Sequence, residues 1–430
     1  MSLTERRNLR MFTLCVLYVA QGIPWGFMAF TLPAILADRG QGPTVIGSVL
    51  AMTTLPYSFK WAWGFLIDAF PSKRWGRRRP WIIFAQGMMA ATVGAMILIP
   101  DLTASVRLLT LTVFVHTVFN SMQDVAVDAL AVDLLDDKER GRANGLMYAS
   151  KWGGGALGGW GLSHLVGWVG LRPALGAQTA VLFAIMCVPL LVRERGGEDQ
   201  APSRAPVWSS IRAWSRRVFG ERTKRAVLGD AIRDRAMQSA VLGVFVMLLS
   251  NVGAAIVVTF ANVLFTQQLG WTAEDYAQLG GGPGLVAGLV GSLVGGFLAD
   301  RVGHRRLAGL ATVGIAIYYL AWAALSAHWA DRHFVYAIFW IEPFLAGVMT
   351  VSLFALCMDI SWTSIAASQF AIYMALANFS TTTGYKLGGY AAAWFTPRGV
   401  YLAAAVLQAS FVLILPLIDP HAARRRTEVA

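Results

Sequence analysis

The sequence contains few charged residues and few cysteines. Only 14% of its 430 residues are charged, whereas about 25% are charged in an ordinary soluble domain. Its three cysteines are an odd number and give neither a disulfide framework nor a metal-ligand spacing. A Walker-type Gly-Lys-Ser/Thr sequence is also missing, so direct ATP hydrolysis has no site. These absences argue against a soluble domain, a disulfide scaffold and an ATP-driven pump.

Hydrophobic residues are abundant instead, at 56% of the chain. They form stretches of roughly 18 residues or more, long enough to cross a bilayer as helices, so the sequence predicts an all-α, multi-pass membrane protein. The first stretch follows Arg6, Arg7 and Arg10 and is too long for a signal-peptide core, so we interpret it as the first span. The twelve predicted spans are 11–37, 46–69, 80–100, 106–134, 143–167, 173–192, 237–266, 276–300, 306–328, 333–358, 361–390 and 397–418.

The net charge of +12 could indicate nucleic-acid binding, but the placement of the basic residues argues otherwise. Of the 36 lysines and arginines, 28 lie on one side of the predicted membrane and five lie on the other. Basic residues accumulate in cytoplasmic loops of membrane proteins. We therefore expect both termini in the cytoplasm, the lipid bilayer as a partner and no nucleic acid.

The longest hydrophilic segment, 193–236, divides six predicted spans from six others. It predicts an N-terminal six-helix bundle at 1–192, a cytoplasmic linker and a C-terminal six-helix bundle at 237–430. Within the linker, apolar residues recur at helical spacing over 208–218 with arginines between them. This pattern fits either a short helix on the inner leaflet or a plain linker with interfacial tryptophans.

The two predicted bundles share a loop motif. Gly-x-x-x-Asp occurs at 64–68 and at 296–300, followed by glycine and basic residues at 76–79 and 303–306. Two parallel six-span repeats are typical of secondary transporters, which place the substrate site between the halves. Seven residues separate the aspartate from the next glycine in the first copy and two in the second. This difference leaves open whether Asp68 reaches the arginines that follow it.

The duplicated loop motif resembles that of the major facilitator superfamily, and this resemblance implies twelve transmembrane helices in two six-helix bundles. Five further motifs carry a narrower resemblance: Tyr18-Val-Ala-Gln21-Gly22-Ile-Pro24-Trp-Gly26, Leu55-Pro56-Tyr57-Ser-Phe-Lys60-Trp-Ala-Trp, Gly76-Arg-Arg-Arg-Pro-Trp81, Gln123-Asp124-x-x-x-Asp128 and Ser368-Gln369-Phe370-Ala371. They resemble the AmpG muropeptide permeases and the related acetyl-CoA transporters, and this resemblance implies import of a solute across the cell inner membrane.

The fourth predicted span carries polar residues in an otherwise apolar stretch. His116, Asn120, Asp124 and Asp128 follow one another at intervals of four, so the spacing predicts that they share one helix face. An ionised carboxylate at mid-membrane costs about 2.5–3.5 kcal/mol on insertion scales. The stripe is therefore expected to face a protein interior or a water-filled cavity. For Asn120 and Gln123, structural hydrogen bonds between helices are an equal alternative.

Three lysines remain inside the predicted spans, namely Lys60, Lys151 and Lys386. A buried ammonium needs an anionic partner, and Lys151 is the expected counter-ion of Asp124 or Asp128. Lys60 is expected to face the cavity, whereas Lys386 either does the same or reaches the membrane interface. The predicted proton-coupling residues, with Asp124 as the principal coupling site, are Asp124, Asp128, Lys151 and Glu342.

Aromatic and amide side chains complete the predicted cavity, because aromatic rings and amides commonly hold sugars. The predicted substrate-binding residues are Tyr18, Gln21, Trp25, Tyr57, Lys60, His116, Asn120, Gln123, Tyr148, Asn251, Gln369 and Tyr373. At the predicted cytoplasmic end, Asp133 either forms an ion pair with Arg77 or Arg78 or is a solvated helix end. The predicted gating residues are Asp68, Arg77, Arg78, Asp133, Asp300 and Arg305.

These features predict a monomeric secondary transporter that imports a muropeptide-like solute, driven by protons, without enzymatic activity, metal or cofactor. A siderophore importer of the same superfamily is the alternative. A membrane-embedded prenyltransferase is a more remote one, because Asn120-x-x-x-Asp124-x-x-x-Asp128 resembles its Mg²⁺-binding aspartates. A second aspartate-rich motif, which that chemistry requires, is missing from the sequence. A purely structural or receptor role is equally remote.

Overall fold

The computed structural model describes residues 2–70, 72, 75–101, 104–135, 137–194, 235–361 and 366–422. The predicted interfacial helix at 208–218 lies outside these ranges. Within them the chain is helical, and extended pairing is limited to isolated bridges of Ser2 with Arg193 and of Ser72 with Gly76.

Twelve helical segments, numbered α1 to α12, follow one another in the described ranges. Several contain a π-helical or 3₁₀ turn, after which the segment continues. Their bounds are Arg7–Asp38 for α1; Pro43–Met52, Leu55–Phe59 and Trp61–Ala69 for α2; Arg79–Ile97 for α3; Val106–Leu134 for α4; Asp137–Ala156, Leu157–Gly161 and Leu162–Val169 for α5; Leu171–Leu191 for α6; Arg235–Leu249, Val252–Val263 and Leu264–Gln268 for α7; Ala273–Leu279, Gly280–Gly284 and Leu285–Val302 for α8; His304–Ala324 for α9; Arg332–Ile338 and Ile341–Asp359 for α10; Ala366–Trp394 for α11; and Pro397–Ser410, Phe411–Leu413 and Leu415–Leu417 for α12.

The twelve helical segments coincide with the twelve predicted spans to within a few residues. Eight of them are long and apolar enough, in the part of the chain that the structure describes, to cross a membrane by length and composition. The other four are α2, α4, α5 and α11. Among these, α2 is divided into parts of 10, 5 and 9 residues, each shorter than a span. The four segments carry Lys60, Asp124 with Asp128, Lys151 and Lys386.

The chain divides into two compact units. The first comprises the described residues of Met1–Gln41, Met52–Ser210 and Trp271–Gly282. The second comprises those of Gly42–Ala51, Ile211–Gly270 and Pro283–Ala430. The first unit has an apolar core whose buried residues include Leu14, Leu17, Ile82, Val127 and Leu130.

Glycines allow α1 and α5 to pack closely in the first unit. A Cβ placed on Gly158 would collide with the carbonyl of Ile23, and one on Gly154 would meet the carbonyl of Val19 at 2.5 Å. Small residues permit such close approach of membrane helices. Thr31 on α1 adds a hydrogen bond of 3.0 Å from its Oγ1 to the carbonyl of Gly159.

Proline shapes α2 near its middle. Pro56 has no N–H to continue an α-helix and disfavours the α conformation in the residue before it. The helix accordingly ends at Met52, and a 3₁₀ turn at Leu55–Phe59 precedes the second helical part, Trp61–Ala69. Lys60 stands at the junction between this turn and that part.

Candidate functional site

Two lysines share one aspartate in the first unit. Asp124 on α4 places Oδ2 at 3.2 Å from Lys60 Nζ on α2, and Oδ1 at 3.2 Å from Lys151 Nζ on α5. The Asp124 side chain is 7% exposed, whereas those of Lys60 and Lys151 are 26% and 24% exposed. The carboxylate is therefore buried beside two lysine side chains that are partly exposed.

Asp128 lies one helical turn beyond Asp124 and has a different environment. Its Oδ1 accepts a hydrogen bond from the hydroxyl of Tyr18 on α1. Among the described residues, Asp128 has no lysine or arginine within ion-pair distance. The site thus holds one carboxylate in two ion pairs and a second one paired with a phenol.

Aromatic rings surround Lys151. Its Nζ lies 5.8 Å from the ring centre of Tyr18 and 5.7 Å from that of Tyr57, within the range of cation–π attraction. Tyr148 packs edge-to-face on Tyr18 with ring centres 6.0 Å apart, and it is 54% exposed. We call this group the lysine–aspartate cluster; its members are Tyr18, Tyr57, Lys60, Asp124, Asp128, Tyr148 and Lys151.

The backbone explains why the cluster forms. The interruption of α2 near Pro56 sets the direction of Lys60, and the glycines of α5 let that helix approach α1. Tyr18 and Lys151 therefore come within contact distance. The pairing of Asp124 with Lys151 is one of the two options predicted from the sequence. The pairing of Lys60 with the same carboxylate was not predicted.

The polar stripe on α4 turns away from the cluster at its N-terminal end. Each interval of four residues rotates a helix position by about 40°, so His116 lies about 120° from Asp128. His116 Nδ1 is 2.9 Å from Thr92 Oγ1 on α3, and Gln123 Nε2 donates to Gln86 Oε1 at 2.6 Å. His116 and Gln123 thus form hydrogen bonds between α4 and α3. For Gln123, such a bond between helices is the structural alternative that the sequence left open.

Three further predicted residues lie on the same helices as the cluster. Gln21 and Asn120 are buried, and the Gln21 amide and Asn120 Oδ1 have no hydrogen-bond partner among the described residues. Trp25 packs edge-to-face on Trp152 with ring centres 5.7 Å apart. Gln21 is one turn beyond Tyr18, and Asn120 is one turn before Asp124.

The predicted residues of the second unit serve contacts within that unit. Glu342 accepts a hydrogen bond of 3.2 Å from the hydroxyl of Tyr319. Asn251 donates its side-chain amide to the carbonyl of Ala377 on α11 at 3.4 Å. Gln369 donates to the Tyr373 hydroxyl at 2.9 Å.

The predicted gating residues of the first unit form one network. Arg78 is 6% exposed; its guanidinium donates to Asp68 and, at 3.0 Å, to Asp133. Arg77 donates to Asp68 at 2.9 Å. The longer first loop therefore does bring Asp68 to its arginines, and Asp133 is ion-paired rather than solvated. Glu194, which was not among the predicted residues, accepts a hydrogen bond from the backbone N–H of Arg78 at 3.0 Å.

Arginines cap equivalent helices in both units. Arg79 at the start of α3 donates to the carbonyls of Pro189 and Leu190 near the end of α6 at 2.5 and 2.7 Å. Arg305 at the start of α9 donates to the carbonyls of Pro416 and Ile418 near the end of α12 at 3.3 and 2.6 Å. Arg305, a predicted gating residue, thus binds backbone carbonyls near the end of α12 in this structure. The side chain of Asp300 lies outside the described part of the chain.

In the residues that the structure describes, no group of three or more histidine, cysteine, aspartate or glutamate side chains is placed to hold a metal ion. The cluster can instead bind and release protons at carboxylates, and it can attract anions through its ammonium groups.

The sequence model of the family described as Major Facilitator Superfamily matches residues 14–368 and, in a second match, residues 244–430. The chain belongs to this superfamily: it is a membrane transporter of the major facilitator fold. Among its relatives, the anhydromuropeptide permease of Escherichia coli (strain K12) is 25% identical over 389 residues, which are 89% of this chain and 73% of the permease.

Solved structures agree on the fold. A POT family transporter in complex with a thioalcohol-conjugated peptide superimposes with a TM-score of 0.72 at 10% identity, covering 97% of this chain and 96% of that one. A D-xylose-proton symporter superimposes with a TM-score of 0.67 at 14% identity, covering 94% of this chain and 96% of the symporter. At such identities the likeness concerns the fold alone.

Proposed function

We propose that the protein imports an anhydromuropeptide-like solute across the inner membrane by alternating access, driven by the proton gradient. The similarity to the Escherichia coli permease extends over 89% of the chain and supports this solute class. The observation that supports proton coupling is that Asp124 and Asp128 have different partners. It places two ionisable groups with different partners in one partly open cluster.

Asp128 is the better candidate for the transported proton, although Asp124 was the principal coupling site predicted from the sequence. Asp124 is engaged in two ion pairs at 3.2 Å, and a proton bound there would weaken both. Asp128 has a phenol as its partner, so that a proton can bind and leave without disrupting an ion pair. With both lysines protonated and Asp124 ionised, a proton on Asp128 changes the formal charge of the cluster from zero to +1.

Uptake of labelled anhydromuropeptide into proteoliposomes tests this function. An imposed proton gradient should drive accumulation, and Asp128→Asn should abolish that accumulation while exchange of solute across the membrane continues. Asp331→Asn is a matched control, because Asp331 caps α10 through the backbone N–H of His333 at 2.9 Å and asparagine caps helices equally well. This control should accumulate solute like the wild type.

Two results would contradict the proposal. Absence of gradient-driven muropeptide uptake, with uptake of a ferric siderophore in the same vesicles, would favour the siderophore importer. Undiminished accumulation by Asp128→Asn would remove this aspartate from the coupling mechanism and leave the solute class intact.

We also propose that both termini face the cytoplasm and that the protein acts as a monomer. The orientation rests on the 28 basic residues on one side against five on the other. Cysteines introduced at Ser203 and at Thr103, both outside the described ranges, should react with impermeant reagents from opposite sides of the membrane. Reaction from the same side would refute the orientation.

A further inference from the structure

The two ammonium groups of the lysine–aspartate cluster have unused hydrogen-bonding capacity. A lysine ammonium carries three N–H donors. In the described residues, Lys60 and Lys151 each make one hydrogen bond, to Asp124 at 3.2 Å. The other contacts of Lys151 are with the rings of Tyr18 and Tyr57, at centroid distances of 5.8 and 5.7 Å. Two donors on each lysine therefore remain for another acceptor.

The two lysine side chains are more exposed than the aspartate that they share. They are about a quarter exposed, at 26% and 24%, whereas Asp124 is 7% exposed. Tyr148, which packs on Tyr18, is 54% exposed. The lysine side chains and Tyr148 therefore offer a solute more accessible surface than Asp124 does.

The spacing of the ammonium groups suits a carboxylate. Asp124 bridges them, with one oxygen at 3.2 Å from each Nζ. One carboxylate thus spans the pair in this structure, and the donors that Asp124 leaves unused are those that a second carboxylate would need to span it again. Because two cations share one anion, one positive charge has no direct anionic partner among the described residues. Charge-assisted hydrogen bonds to carboxylates are among the strong hydrogen bonds in proteins.

We propose that Lys60 and Lys151 form a receptor for a carboxylate of the transported solute, with Asp124 as the resident counter-ion that holds the two lysines together. This inference rests on the proposed function and names the chemical group that the site selects. The peptide part of a muropeptide-like solute carries such carboxylates, whereas a neutral sugar does not. Tyr18 and Tyr57 support Lys151 from the side and limit its movement.

Comparison of a free acid with its amide tests the receptor. Uptake by proteoliposomes should be measured for anhydromuropeptide and for the same compound with its carboxyl groups amidated. We expect the amidated compound to be about tenfold or more weaker in apparent affinity, because loss of one hydrogen bond between charged groups corresponds to about that factor. Lys60→Gln and Lys151→Gln should lose this discrimination.

Lys386→Gln is the matched control for both lysine variants. Lys386 is the third lysine within the helical segments, and it donates to Ser48 Oγ at 2.8 Å in the second unit. It should retain discrimination between acid and amide. Equal uptake of acid and amide by the wild type, or retained discrimination in both Lys60→Gln and Lys151→Gln, would overturn the receptor and leave muropeptide import standing.

A second measurement is independent of muropeptide transport. N-acetyl-alanyl-alanine and its C-terminal amide can be compared for their effect on the melting temperature of the purified protein, because a ligand that binds the folded state raises it. The acid should raise the melting temperature of the wild type and of Lys386→Gln more than the amide does, and this difference should vanish in Lys60→Gln and Lys151→Gln. If the acid and the amide act equally on the wild type, the receptor is refuted whatever the muropeptide result.

Discussion

The double pairing of Asp124 predicts how strongly each lysine replacement destabilises the protein. Lys60→Gln or Lys151→Gln leaves Asp124 with one ammonium at 3.2 Å. The change removes one hydrogen bond between charged groups, which is worth about 1.5–3 kcal/mol. Because the lysines are 26% and 24% exposed, solvent already weakens these bonds. We expect each single replacement to lower the free energy of unfolding by about 1–2 kcal/mol.

Replacement of both lysines has a different consequence. It leaves a carboxylate that is 7% exposed without any cation in contact. Removing the partner of a buried charge costs about 3–5 kcal/mol, so the loss should exceed that of either single replacement. Addition of Asp124→Asn to the double variant removes the unpaired charge and should restore part of that loss.

Unfolding of the detergent-purified proteins, followed by tryptophan fluorescence, measures these differences. Lys386→Gln controls for the loss of a lysine from a helical segment outside the cluster. Two outcomes would refute the reasoning: a double lysine variant as stable as either single variant, or no recovery on addition of Asp124→Asn. Either outcome would mean that the buried carboxylate does not depend on these lysines.

Two further predictions concern helix packing and the arginine network. Gly158→Ala should abolish the yield of folded protein, because its Cβ would collide with the Ile23 carbonyl. Gly161→Ala should fold normally, since a Cβ there meets no atom within 4 Å. Equal yields of the two variants in size-exclusion chromatography would contradict this prediction. Arg78→Gln should lower the unfolding free energy by about 1–3 kcal/mol because it unpairs Asp133. Arg77→Gln should cost less than about 1 kcal/mol, because its partner Asp68 is half exposed; equal melting temperatures of the two variants would refute the difference.

The number and positions of the helices could be predicted from the sequence because each requires only a local run of apolar residues. The span predicted at 106–134 is the helix Val106–Leu134. The pairing of Asp124 with Lys151 could be foreseen as one of few options, because charges inside the membrane need partners and only three lysines lie within the spans.

Contacts that depend on tertiary geometry could not be predicted. Lys60 reaches Asp124 because α2 is interrupted near Pro56, and the size of such a change in direction is not encoded in residue spacing. The face of α4 that carries His116 was misjudged because intervals of four drift around the helix. Glu194 was missed because its partner, the backbone of Arg78, lies 116 positions away in sequence and a backbone donor leaves no signature in the side-chain pattern.

The two repeats share their helix-end contacts but differ in charge where the cluster lies. Asp133 near the end of α4 contacts Arg78 at 3.0 Å, and Asp359 at the end of α10 contacts His304 at 2.5 Å. Nine residues before Asp133 stands Asp124, whereas nine residues before Asp359 stands Thr350.

The equivalent of Lys151 differs in the same way. Lys151 precedes the glycines 153–155, and Lys386 likewise precedes Gly388 and Gly389. Lys386 nevertheless donates to the hydroxyl of Ser48 rather than to a carboxylate. An ammonium bound to a neutral hydroxyl and one bound to a carboxylate differ electrostatically, because only the second has a partner whose negative charge offsets its own. The fold therefore repeats its framework, while the ion-paired chemistry described for Asp124 belongs to the first unit, and replacements of charged residues there should affect transport more than replacements at the corresponding positions of the second unit.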